Sequence, residues 1–202
     1  MTLFAVDPKK AEAIPIQDGE LRLYPHLFSP EESDAFFTKL KESVEWQQEE
    51  IRLYRKVIPL PRLTAWFGDA GKTYMYSGIT VEPEPWTPTL LEIKRRIEEV
   101  SEVTFNSVLL NYYRNERDSV SWHSDDEPEL GKDPVIGSVS FGDARDFQLR
   151  HKTNKSMKID EKLPHGSYLE MAGSTQHHWE HQIPKRSRKI GPRINLTFRV
   201  TS

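Results

Sequence analysis

His123 and Asp125 stand two residues apart in Trp122-His123-Ser124-Asp125. In an extended segment, side chains at i and i+2 leave the same face, so the pair can converge on one ion. Three further histidines, His177, His178 and His181, follow His123 by 54, 55 and 58 residues. Any one of them would complete two imidazoles and a carboxylate. That set is the facial triad of non-haem Fe(II) oxygenases, which leaves positions open for a chelating co-substrate and dioxygen. Zinc is served by similar donors, and His-x-Asp alone is more often a surface or hydrogen-bonding pair. Near the C-terminus, Arg193, Asn195, Thr197 and Arg199 alternate with Ile194, Leu196 and Phe198. Two guanidinium groups on the polar face of a core strand need partners. An α-keto diacid could chelate a metal at one end and pair with an arginine fork at the other; the plainer alternative is a pair of surface salt bridges.

These residues must be positioned by a scaffold, and its elements can be read. Ser29-Pro30-Glu31-Glu32 carries an N-cap, a first-turn proline and a capping-box Glu, with Phe36, Phe37, Leu40 and Val44 at helical spacing. The pattern predicts a helix over about 30–44. Thr87-Pro88 repeats the start signal, and the stripe Leu90, Ile93, Ile97, Val100 predicts a second helix through about 102. From Asn106 on, short runs rich in Val, Ile, Phe and Tyr predict strands at 106–113, 134–141, 146–151, 167–171 and 193–200. Two helices followed by closely spaced strands indicate an α+β fold in which helices brace one face of a β-sandwich or jelly roll, with room for a small-molecule site inside. The organisation expected is a flexible N-terminus over 1–15, a helical extension with a nucleotide-recognition segment over 16–105, and a catalytic core over 106–202, all within one structural domain.

Composition narrows the classes. With no cysteine there is no disulfide framework, thiolate site or cysteine nucleophile. No apolar run approaches the roughly 20 residues that cross a bilayer, and no secretory h-region opens the chain, so a soluble cytoplasmic protein without a membrane partner is expected. Net charge is −3, but residues 1–144 hold 16 Lys and Arg against 26 Asp and Glu, whereas residues 145–202 hold 12 against 5. The basic third could neutralise phosphates, or could be a solvated face balancing the acidic part. No heptad is present, and a monomer is expected.

Taken together the motifs resemble the AlkB family of Fe(II)- and 2-oxoglutarate-dependent dioxygenases, and most of all its DNA-repair members, from about Ile51 to Arg199. The resemblance implies a double-stranded β-helix, the jelly-roll or cupin-like core. Asn111-Tyr112-Tyr113 matches the family's Asn-x-Tyr, and His123-Ser124-Asp125 its His-x-Asp. The family's distal histidine precedes the first arginine of Arg-x-Asn-x-Thr-x-x-Arg by twelve residues, which selects His181 over His178. By that resemblance His123, Asp125 and His181 hold Fe(II). Asn111, Tyr113, Arg193, Asn195 and Arg199 bind 2-oxoglutarate, Arg193 at the distal carboxylate and Arg199 nearer the metal. Arg62, Tyr74, Tyr76, Asp126, Glu127 and Arg145 meet the nucleotide, and Tyr54 falls where a duplex-acting member carries an aromatic finger. Filling the gap left by an extruded base recovers part of the stacking lost in flipping it.

The activity implied is oxidative dealkylation of 1-methyladenine or 3-methylcytosine type lesions in DNA with Fe(II), 2-oxoglutarate and O2, releasing formaldehyde, succinate and CO2. Alkylated DNA, single- or double-stranded, is the expected partner, in a nucleoid or a nucleus. An oxygenase acting on RNA, or on a protein or lipid, is the alternative. A metal-free nucleic-acid module would leave the diacid clamp unexplained, and a zinc hydrolase the paired arginines.

Overall fold

The computed structural model describes residues 7–53, 56–71, 74–76 and 79–202, with the backbone alone for 52–53, 74–76 and 79–81. In chain order, β1 (Glu12–Ile14) and β2 (Glu20–Tyr24) lead to helix α1 (Pro30–Ser43). The short strands β3 (Glu50–Leu53), β4 (Lys56–Pro59), β5 (Leu63–Gly68), β6 (Tyr74–Tyr76), β7 (Ile79–Val81) and β8 (Glu84–Pro85) precede α2 (Pro88–Glu98). Then come β9 (Ser107–Tyr113), β10 (Val120–His123), β11 (Ile136–Gly142), β12 (Arg145–His151), β13 (Lys158–Leu163), β14 (Ser167–Ala172), the short helix α3 (Thr175–His178), β15 (Trp179–Ile183) and β16 (Arg193–Arg199).

Local sequence accounts for both long helices. Ser29 caps α1, its side chain accepting the Glu32 N–H while the Glu32 carboxylate accepts the Ser29 N–H. Thr87 caps α2 from one side only, its hydroxyl accepting the Leu90 N–H. α2 ends four residues earlier than its apolar stripe predicts, because the Glu98 carboxylate accepts the Phe105 N–H at 2.8 Å and turns the chain toward β9.

Eight strands form one sheet in the order β1-β2-β14-β11-β16-β9-β5-β8, and four form a second in the order β10-β15-β12-β13. The larger sheet draws strands from both sides of position 105, and β1 shows that ordered structure begins before residue 16. One core lies between the larger sheet and the helices: Phe36, Leu40, Leu90, Ile93 and Ile97 meet Val108, Leu110, Val139 and Phe141. A second lies between the sheets, where Leu21, Ile136, Leu169 and Met171 meet Phe147, Leu149, Trp179 and Ile183. This is the helix-braced double-stranded β-helix. In β16, Ile194, Leu196 and Phe198 are 0% exposed on the helix side, each contributing on the order of 1.5–3 kcal/mol by burial. Strand alternation then turns Arg193, Asn195, Thr197 and Arg199 to the inner face.

Candidate active site

β10 runs along the edge of the smaller sheet, and its partner β15 puts His181 directly across from His123, with ring centroids 4.2 Å apart. Between Val120 and His123 the register shifts: three steps on β10 oppose two on β15. Such a bulge re-aims side chains, and Ser121, Trp122 and His123 all line one cavity. Asp125 sits two residues past the end of β10, so strand alternation is not what brings it to the histidines. It turns inward, 2% exposed, with its N–H donated to Gln176 Oε1 at 2.9 Å.

One donor atom from each of His123, Asp125 and His181 lies within 4.8 Å of the others. His123 Nδ1 is 2.8 Å from the Ser121 carbonyl; a carbonyl only accepts, which assigns the proton to Nδ1 and leaves Nε2 as the donor atom. Burial, with His123 nearby, pushes the His181 pKa down to about 3, only partly offset by Asp125. His181 is therefore neutral and ready to ligate. Burial, the largest single influence, would raise the Asp125 pKa, but the Arg199 guanidinium together with His181 and His123 brings it below the ordinary carboxylate value. Arg199 Nη2 contacts Asp125 Oδ1, while Oδ2 faces His181 Nε2 at 3.7 Å.

His178 does not reach this group. It stacks on His151, which faces Asp18, in a second cluster whose donor atoms lie within 4.8 Å of one another. There His151 Nδ1 accepts the N–H groups of Thr153 and Asn154, so the neutral ring carries its proton on Nε2, the atom a cation would need. Of the three histidines, the structure brings His181 to the triad.

The cavity, about 520 Å³, is lined by all three triad residues and by Arg62, Asn111, Glu127, Arg193, Asn195 and Arg199. Arg193 is 1% exposed; its Nη2 donates to Ser140 Oγ at 2.9 Å, and Nε and Nη1 find no hydrogen-bond partner among the described residues. Burial pulls its pKa down to about 10, so it stays charged at neutral pH. Tyr113 supports it from beneath, with Arg193 Cζ 5.4 Å from the ring centre. Asn111 Oδ1 accepts from Arg62 Nε at 2.7 Å. Asn195 spends its amide on Ser138 Oγ and the Val139 carbonyl.

The nucleotide contacts divide. Glu127 lines the cavity, whereas Asp126 faces outward and pairs with Lys152 Nζ at 2.9 Å. Arg145 is a correction. It is 1% exposed and donates to the carbonyls of Asn115, Asp118 and Pro184, so it braces loops and presents nothing to a nucleic acid. Five basic side chains of the basic third are held in ion pairs: Arg150 and Lys155 on Glu180, Lys152 on Asp126, Arg186 on Asp146 and Arg199 on Asp125. Residues 185–189 are exposed, as are Lys155, Lys158 and Lys162. Tyr54 lies outside the described residues, as do the side chains of Tyr74 and Tyr76, whose backbone pairs with β7.

Two neighbours of the triad have no recognisable signal in the sequence. Gln176 is one. Trp122, with Arg150 Cζ 4.2 Å over its ring, is the other; its place beside His123 was visible, but not the bulge that turns it to the cavity.

The wall at Ser119 depends on an ion pair. Asp118, 4% exposed, accepts from Arg114 Nε at 2.7 Å, Nη2 at 3.0 Å and the Arg114 N–H at 2.9 Å. Burial raises its pKa, but these bonds prevail and hold it below the ordinary carboxylate value. A depressed folded-state pKa stabilises above the unfolded value and is lost as pH falls through the folded one. Asp118→Asn should therefore cost about 1–3 kcal/mol at pH 7, with the penalty shrinking below about pH 4. Urea unfolding across that range measures it; an equal penalty throughout would mean that Arg114 does not read the charge.

A sequence profile of the 2OG-Fe(II) oxygenase superfamily matches residues 20–199. The chain is 46% identical over 187 residues to the alpha-ketoglutarate-dependent dioxygenase alkB homolog 3 of Mus musculus, covering 88% of this chain and 65% of that one; the Homo sapiens counterpart gives the same figures. It thus spans just under two thirds of those relatives. To the DNA oxidative demethylase ALKBH2 of Mus musculus it is 41% identical, covering 87% of this chain and 78% of the relative. The solved structure of OsALKBH1 superposes with a TM-score of 0.62 at 18% identity, over 94% of this chain and 100% of that one, a likeness of fold.

Proposed function

This chain belongs to the AlkB family of the 2OG-Fe(II) oxygenase superfamily, and from that premise we propose that it oxidatively dealkylates N-alkylated bases in DNA with Fe(II), 2-oxoglutarate and O2. The observation that carries the reading is Arg193: a buried guanidinium with two unsatisfied nitrogens, in the same cavity as a buried His-Asp-His set. A cation so buried costs free energy unless an anion pairs with it. A dicarboxylate fits both ends, and neither a zinc hydrolase nor a metal-free binding module needs that second charge. Support for DNA comes from the ALKBH2 relatives, which are named as DNA oxidative demethylases.

His123, Asp125 and His181 would hold the iron. When bound with 2-oxoglutarate and O2, the metal supplies an oxidation that hydroxylates the N-alkyl carbon, giving succinate, CO2 and, from a methyl group, formaldehyde. The protein's residues do the positioning. Ser121 keeps the His123 proton on Nδ1, and Arg199 contributes to keeping Asp125 ionised. Arg193 anchors the distal carboxylate, with Asn111 and Arg62 forming a linked polar wall. Glu127, which lines the cavity, is the carboxylate assigned to the cationic methylated base; Asp126 faces outward beside Lys152. Tyr54, Tyr74 and Tyr76 complete the proposal as finger and base-pocket residues, with the protein acting as a monomer where the cell keeps its DNA.

The test is anaerobic loading with Fe(II) and 2-oxoglutarate, then succinate and formaldehyde release in air with 1-methyladenine oligonucleotides as single-stranded DNA, duplex DNA and RNA. Equal release of both products that requires the lesion supports the proposal, and RNA as the better substrate would replace DNA in it. Glu127→Gln should lower turnover of the cationic lesion about 10-fold or more while sparing a neutral one; an equal loss on both would remove the charge argument.

A further inference from the structure

Gln176 is 1% exposed within α3, and its Oε1 takes the backbone N–H of Asp125. The residues on either side of Asp125 are tied to the same place. Ser124 Oγ donates to the Trp179 carbonyl at 2.8 Å. Lys152 Nζ donates to the Gln176 carbonyl at 2.8 Å and to Asp126 Oδ2 at 2.9 Å, and the Lys152 N–H donates to the His178 carbonyl at 2.7 Å. Residues 124, 125 and 126 are each fastened, directly or through Lys152, to the α3–β15 junction that leads into His181.

Asp125 needs such an anchor because it lies beyond β10 and has no ladder partner for its buried N–H. Its two oxygens are divided, Oδ1 to Arg199 and Oδ2 toward His181. If the backbone turned, both oxygens could pair with the Arg199 fork, a favourable bidentate arrangement that would withdraw the carboxylate from the histidines. We propose that Gln176 is a positioning residue: by fixing the Asp125 backbone it keeps Oδ2 facing His123 and His181 as a metal ligand. The inference rests on the reading of those three residues as the metal site.

The test titrates the full chain anaerobically with Mn(II), reading free ion by its electron paramagnetic resonance signal, with melting temperature measured beside it. Gln176→Met keeps the volume and removes the acceptor; Gln176→Glu keeps an acceptor oxygen at the same reach. The expected result is one Mn(II) site in the unsubstituted protein, affinity lowered about 10–100-fold in Q176M, the usual cost of losing a partner that orients a ligand, and recovery to within about 3-fold in Q176E. Affinity in folded Q176M equal to the parent would overturn the proposal. If Q176M does not fold, Lys152→Met serves, since Lys152 lies at the surface yet holds the Gln176 carbonyl: a weakening of about 3-fold or more supports the anchor, and no change overturns it. Absence of Mn(II) binding in the parent itself would instead sink the metal-site reading.

Discussion

His181→Ala will reduce lesion-dependent succinate release by at least about 1,000-fold, on the order of 4 kcal/mol, and His178→Ala will leave it within about 3-fold. The contrast follows from placement. His181 Nε2 faces Asp125 Oδ2, and the ring is held neutral by burial between Phe147 and His123. His178 stacks on His151, away from the cavity lining. With two donors left, a divalent ion should dissociate at micromolar concentrations. The same Mn(II) titration checks this independently of turnover. Loss in H178A with retention in H181A would reverse the choice of third ligand.

Arg193→Met should raise the KM for 2-oxoglutarate roughly 100-fold or more, within the 2–5 kcal/mol expected for removing one partner of a buried charge pair. Arg193→Lys should recover little of it, because an ammonium cannot reproduce the fork. The sharper expectation concerns stability. In the chain without co-substrate, Arg193 is a buried cation with Nε and Nη1 unsatisfied, so the methionine variant should melt higher by roughly 2–4 °C for each kcal/mol relieved. The parent protein should gain thermal stability from 2-oxoglutarate through mass action, and the variant should not. Thermal scans with and without the diacid measure both effects. A methionine variant that melts lower yet keeps its response to 2-oxoglutarate would show that Arg193 braces the fold and does not hold the ligand.

The sequence made some of this legible through strong local rules. β16 reads as written because its alternation is strict, and α1 because its capping box is complete. β15 alternates equally well, with Trp179, His181 and Ile183 inward, but a crowd of histidines gives it the look of a loop. β13 carries an acidic and basic outer surface that hides its pairing with β12. The resemblance assigns Arg145 to the nucleotide. Period two places it on the face of Phe147 and Leu149, and that is where it lies, buried. Asp125 was paired with His123 for a reason that holds only inside a strand; a side chain from 51 residues away, Gln176, turns it inward. Contacts of that range leave no periodic trace.

The place of β16 between β11 and β9 has a bearing on how the protein is made. Arg193 and Arg199 lie on β16, which follows both β9 and β11 in the chain, so a ribosome presents them after those strands. Until they emerge, β9 and β11 each offer an unpaired edge to solvent, the kind of surface that recruits other chains. A premature stop codon just ahead of Arg193 would therefore do more than delete a ligand-binding arginine. It would leave the larger sheet split at its centre, and the product should be found in inclusion bodies or degraded, whatever its remaining sequence could otherwise fold.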